Sequence, residues 1–208
     1  MAAQETNLLG QKMGRKGRET RKKIMNVALR MLENSSYKDL TVTEVAYEAD
    51  VSSSTFYVYF EDIEDVLYTC ILDAALDFGA IVDLLNEDWD VNNVERKVAE
   101  FVEAYNKMWE RHRIELRIRN IEANQGNLRF MNLVMETTAD IQVALARKVS
   151  QVSPRIRNPQ GVATVIFAAM DIIAASHQIG LGSATRLSRK HLNSGIVELL
   201  SNALKFQN

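Results

Sequence analysis

LTVTEVAYEADVSSSTFYVYFEDIEDVL, residues 40–67, decides the fold. Thr41 and Glu44 stand in capping-box spacing, where a hydroxyl and a carboxylate satisfy the open amides of a helix start, so a short helix follows Thr41. Asp50-Val51-Ser52 interrupts it, and Ser52 is a good N-cap for a further short helix over 53–60. Two short helices across a tight turn make a helix-turn-helix: Ala46 is the small residue needed for close approach, Asp50 takes the turn, and Val51, Phe56 and Phe60 go inside. Ser52, Ser53, Ser54 and Thr55 then open a recognition helix whose hydroxyls can meet phosphates and base edges. Tyr57 and Tyr59 add phenolic donors, and Val58 suits a thymine methyl group.

Upstream, Ile24, Val27, Ala28, Met31 and Leu32 form one apolar stripe over 19–33, with the basic residues outside it. Between Lys12 and Lys23 seven basic residues, Lys12, Arg15, Lys16, Arg18, Arg21, Lys22 and Lys23, stand against the single acid Glu19, although the whole chain carries a net charge of only −2. Residues 1–18 therefore read as a basic flexible arm, with Arg15, Lys16 and Arg18 available to phosphates; such contacts displace counterions and add affinity independent of base sequence. Nothing in 1–23 has the continuous apolar segment and cleavage site of a secretory signal, so the cytoplasm is the expected compartment.

Downstream, apolar residues recur at helical spacing almost throughout, and only Pro154 and Pro159 interrupt as prolines. Helices are expected at 63–86, 93–112, 114–124, 127–151, 159–181 and 189–206, separated by 86–90, 125–127, 153–159 and 180–188. The fold class is all-α, with about nine helices: a three-helix DNA-binding domain over 19–62 and a larger helical domain over 63–208. No stretch reaches the roughly 20 apolar residues of a membrane span, and the lone Cys70 cannot form an internal disulfide.

The 40–67 stretch resembles the TetR family of bacterial transcription regulators, in its threonine-led helix, its alanine-x-valine-serine turn and its closing Tyr57-x-Tyr59-Phe60. Three positions depart from the family pattern: Asp50 and Ser54 stand where glycine is frequent, and Ile63 where lysine is. Aspartate tolerates the left-handed backbone a turn glycine would supply. The lost lysine removes a phosphate contact in an acidic neighbourhood (Glu61, Asp62, Glu64, Asp65), which the basic arm can offset. The resemblance implies that Thr43, Ser53, Ser54, Thr55, Tyr57, Val58 and Tyr59 face DNA, with Thr41 and Tyr57 on phosphates.

The resemblance also implies a homodimer through the helices near 159–181 and 189–206. Val162, Val165, Ile166, Ala169 and Ile173 on the first, and Leu192, Ile196, Leu199, Leu200 and Ala203 on the second, follow three/four spacing, and Ala168, Ala169, Ala174 and Ala175 allow close approach. It further implies a ligand cavity among the central helices. Phe78, Phe101, Tyr105, Met108, Trp109, Phe130, Met131, Met135, Phe167 and Met170 are its candidate lining, suited to a largely apolar small-molecule effector. Asp171 and His177 lie on an otherwise apolar helix, where each needs a polar partner. His112 and His191 read as solvent-exposed, and Arg111, Arg113, Arg117 and Arg119 as a solvated helix face that can alternatively meet an anionic group. No nucleophile elbow, phosphate loop or metal-ligand cluster occurs, so neither catalysis, cofactor nor metal is expected. The functional expectation is a repressor that leaves a palindromic double-stranded DNA operator on binding its effector. A DNA-binding protein of the same fold, acting in chromosome organisation or cell division through a protein partner, is the alternative.

Overall fold

Three successive helix starts, at 42, 53 and 63, fall where short polar side chains cap them. In the computed structural model, which describes residues 6–33, 35–175 and 188–205, Thr41 Oγ1 accepts the Glu44 amide at 3.2 Å and Glu44 returns a carboxylate oxygen to the Thr41 amide at 3.0 Å. The capping box is complete and opens α2 (Val42–Glu48). Ser52 caps α3 (Ser53–Tyr59) by accepting the Thr55 amide at 3.1 Å. Asp62 caps α4 (Ile63–Ala75) through the Asp65 amide at 2.8 Å. Before them run α1 (Arg15–Met31) and a single 3-10 turn (Tyr37–Asp39); after them α5 (Phe78–Asn86), α6 (Val94–Arg111), α7 (Arg113–Asn124), α8 (Leu128–Val152), α9 (Pro159–Ala175) and α10 (Arg189–Lys205). The fold is all-α, and the described residues hold an isolated bridge between Thr6 and Lys12 but no strand.

Three expectations change. The helix over 63–86 is two helices, because the chain turns at Leu76–Asp77, where the Leu76 amide bonds Asp73 O. Asp77 gives its carboxylate to Arg111 Nη1 at 2.6 Å and to His112 Nε2 at 2.9 Å, so it caps nothing. Those hydrogen bonds, His112's first, hold its carboxyl below the usual range. His112 is accordingly half-buried and bonded, not a solvent-exposed residue. Likewise α1 begins at Arg15 and not near 19, so the expected flexible arm is helical over 15–18 and folded over 6–14: Met13 is buried, and Leu8 donates its amide to Val58 O at 3.0 Å.

Contacts group the chain into two compact units, one of residues through Leu76 with Ile114–Leu133, the other of Asp77–Arg113 with residues from Val134 on. In the first unit, Ile24, Val27 and Ala28 of α1 meet Val45 and Ala46 of α2, Phe56 and Phe60, and Val66 and Cys70 of α4. A second cluster joins Leu32, Leu67 and Ile71 to Ile118, Phe130 and Leu133. Burial pushes the Cys70 thiol up, leaving an inert cysteine. The second unit is built on α6, whose Val98, Phe101, Val102, Tyr105 and Trp109 repeat at three/four spacing and are all buried; α9 and α10 both pack on it.

The α2–α3 corner carries the one non-glycine residue with positive φ among those described, Asp50 at 51°. Val51 donates to Ala46 O across it at 3.0 Å, and Ala46 and Ala49 are fully buried beneath it. Asp50→Ala should cost about 1 kcal/mol in chemical denaturation, whereas Asp50→Gly should be within about 0.5 kcal/mol of the parent, because only a residue tolerant of the left-handed region fits there. Equal stability of the two variants would contradict that assignment.

Candidate nucleic-acid interface

Recognition of DNA by a short helix needs polar side chains at its N-terminus, free of the core, beside positive charge. At the start of α3, Ser52 and Ser54 are exposed and Ser53 and Thr55 half-buried. Ser52 Oγ lies 2.7 Å from Ser54 Oγ and 2.9 Å from Thr55 Oγ1, so three hydroxyls form one linked group. Tyr57, one turn on, is 53% exposed, while Phe56 between them is fully buried. The faces of α3 thus separate into a wet edge and a core edge.

Tyr59 behaves differently from Tyr57. It packs on the first-unit core, and its hydroxyl would stand 3.5 Å from a side chain placed at Gly17 of α1, so its ring braces α1 against α3. Val58 is half-buried. Thr41 is exposed, but its hydroxyl proton goes to Glu44 Oε2 at 2.7 Å, and these bonds hold the Glu44 carboxyl below its usual range. Any phosphate contact there competes with the capping box. Thr43 is exposed on the outer face of α2. One turn further, Tyr47 is the most exposed large hydrophobic side chain described, at 80%, and the sequence reading missed it. The i, i+4 spacing from Thr43 was the available signal.

Arg15, Lys16 and Arg18 are exposed on the first turn of α1, with Lys12 exposed just before it. Arg15 pairs with Glu19 at 3.2 Å, a solvated contact of small energetic weight, and Arg18 Nη1 donates to Met13 O at 2.6 Å. Arg21 lies over the Phe60 ring, 5.3 Å from its centre.

The arginines of α7 do not form a solvated face. Arg119 is 1% exposed and Arg117 Nη2 donates to Leu32 O at 2.9 Å at the end of α1. Nearby, the buried Glu122 accepts Tyr37 OH at 3.0 Å and faces Lys38 Nζ at 3.5 Å. Burial, and then Glu122, push Tyr37 up to about 12. Arg129, at the start of α8, forks onto Glu64 at 3.3 Å and Asp65 at 3.1 Å and lies over the Tyr68 ring. These bonds fasten α7 and the first turn of α8 to the end of α1, the 3-10 turn and the start of α4 within the first unit.

In the second unit Phe78, Phe101, Tyr105, Met108, Trp109, Phe167 and Met170 are buried, and Tyr105 meets Phe167 edge-on. Phe130 is buried in the first unit instead. Met131 and Met135 of α8 are 41% and 61% exposed and do not join this interior, because the helix turns its Phe130 and Leu133 side inward. Asp171 brings polarity to this interior: its Oδ1 accepts Tyr105 OH at 2.7 Å and Trp109 Nε1 at 3.0 Å. His177 lies outside the described residues. Among those described, no three histidine, cysteine or carboxylate side chains cluster to hold a metal, and no helix is long and apolar enough to cross a membrane. Asp171→Ala should lower the unfolding free energy by about 2–4 kcal/mol by removing the acceptor that two buried donors share, and Asp171→Asn by less than half of that. Equal losses in denaturation followed by tryptophan fluorescence would contradict the role of Oδ1.

Residues 24–68 match the family of bacterial regulatory proteins, tetR family. No curated protein matches the chain in sequence. Among solved structures, the fatty acid degradation regulator FadR of Bacillus halodurans is similar over 95% of this chain and 100% of its own, at 20% identity and a TM-score of 0.69. The regulator FadR of Bacillus subtilis in complex with stearoyl-CoA is 16% identical over 88% of this chain and 98% of its own, TM-score 0.68. A protein of Saccharomonospora viridis in complex with choline is 17% identical over 88% and 96%, TM-score 0.69. At these identities the likeness is one of fold.

Proposed function

We propose that this chain, a TetR-family protein by its residues 24–68, is a dimeric repressor that reads a palindromic operator with α3 of each protomer and leaves it on binding a small, largely apolar effector. The observation that carries the reading is the wet edge of α3: Ser52, Ser54 and Tyr57 stand exposed within the matched segment, and the cationic first turn of α1 meets the other end of α3 at Tyr59. Thr43 and Tyr47 of α2 are exposed as well. A seven-residue helix reads few base pairs, and a two-fold pair reads two half-sites about one helical turn apart.

The dimer reading rests on α9 and α10. Val165 and Ile172 of α9 and Leu199 of α10 are 70%, 56% and 68% exposed, while Ala163, Phe167, Met170 and Ala174 turn inward. Of the residues first assigned to the dimer face, Ala174, Ile196 and Leu200 are buried within the chain, so the face shifts to Val165, Ala168 and Leu199 together with Ile172, which the spacing did not pick out. Exposed apolar side chains in register on neighbouring helices mark an interface. The effector class follows from the aromatic and methionine interior of the second unit, which is suited to an acyl chain like that of the stearoyl-CoA held by the B. subtilis protein. Release requires the effector to favour the DNA-free form, and a coupling of about 1–3 kcal/mol changes operator affinity roughly 5- to 150-fold.

Two experiments test this. Genome-wide occupancy should show a few promoter sites whose transcripts rise when the gene is deleted; many dispersed sites with unchanged transcripts would contradict repression. The Val165→Glu, Leu199→Glu double variant should sediment as a folded monomer and bind DNA about a hundredfold more weakly; a dimer of unchanged affinity would remove α9 and α10 from the interface.

A further inference from the structure

The described residues ahead of α1 form a built element whose placement the wet edge of α3 does not explain. Asn7 organises it: its Oδ1 accepts the amides of Leu9 at 3.1 Å and Gln11 at 2.9 Å, and its own amide bonds Gln11 O at 2.9 Å. Gly10, at φ 75°, closes the turn by donating to Asn7 O at 3.0 Å. The turn is fastened to the recognition helix by Leu8 N on Val58 O, one of the last carbonyls of α3. Met13 is buried behind it. A turn tip in water ordinarily carries small polar residues, yet this one holds Leu8 and Leu9 out at 40% and 65% exposure. Lys12, Arg15, Lys16 and Arg18 follow it directly in the chain, all exposed.

We propose that the Asn7–Gln11 turn is a second DNA-reading element, which sets Leu8 and Leu9 against the floor of the minor groove flanking the half-site read by α3. The inference rests on the DNA-binding reading above. The charge around the tip is complementary to phosphate, which singles out DNA as the occupant of this apolar tip. With the N-terminus of α3 in the major groove, an element fixed to the far end of α3 lies beside the adjoining groove. Leucine can make no base-specific hydrogen bond, but it fills a minor groove or wedges a base step, and the guanine N2 amino group obstructs that approach. The turn therefore adds a preference for A·T pairs at the flank, at positions α3 does not touch.

The test uses full-length protein and duplexes carrying the best site selected from a random double-stranded pool. Replacing flanking A·T pairs by G·C should weaken wild-type binding roughly five- to tenfold, and I·C pairs, which keep the G·C major groove but lack the N2 amino group, should restore it. The Leu8→Ser, Leu9→Ser variant should bind every flank alike, keep the central palindrome, and show an unchanged salt dependence, since no phosphate contact is lost. Flank preference equal in variant and wild type, or I·C behaving as G·C, overturns the inference and leaves the regulator reading intact. A change of oligomeric state with flank preference retained would assign the leucines to a protein contact and also overturns it. Wild-type protein that binds no duplex overturns both.

Discussion

The helix-turn-helix depends on one backbone conformation, the left-handed Asp50 that reverses the chain between α2 and α3. With Ala46 and Ala49 presenting almost no side chain at the corner, α3 lies close against α2, and its register is fixed by Val51 on Ala46 O. Once the corner is set, the period of the helix does the rest: Phe56 and Phe60 fall into the core, and Ser52, Ser54 and Tyr57 fall outside it. Any larger residue at 46 or 49 would push α3 away and turn those hydroxyls off the face they share.

The elements on either side of the corner, the 3-10 turn and the start of α4, are tied by residues from much later in the chain. Glu122, almost wholly buried, is satisfied by Tyr37 and Lys38, and Arg129 closes on two carboxylates at the start of α4. A buried carboxylate is costly unless paired, so these bonds hold α7 in one position against the 3-10 turn. The acidic run at 61–65, which on charge alone opposes DNA, has a structural use in Arg129. The first unit includes Ile114–Leu133, residues that a sequence boundary near 62 assigns elsewhere.

Local signals were legible. The Thr41–Glu44 box, the Ser52 cap, the Gln125–Gly126 stop and the inward period of α6 each depend on neighbours within a turn or two, and sequence displays those directly. Long-range choices were not. The break at Asp77 involves no glycine or proline, and its cause sits 34 and 35 residues away in Arg111 and His112. Arg119 looked like a solvated arginine because charge pattern carries no burial information. The 7–13 turn had a signal in Asn7 and Gly10, but composition drew attention to its lysines and arginines, and the contact that orders it lies on α3. Tyr59, expected to face DNA, packs on the core, and Tyr47, which the sequence reading passed over, faces water, because only packing reveals which ring is exposed.

The most direct measurement is selection of bound sequences from a random double-stranded DNA pool, with the stoichiometry of the best complex determined by sedimentation. An enriched palindrome, with half-sites about one helical turn apart and two chains bound, is the result the account predicts. Binding without an enriched sequence, or no binding of the ligand-free protein, would contradict it.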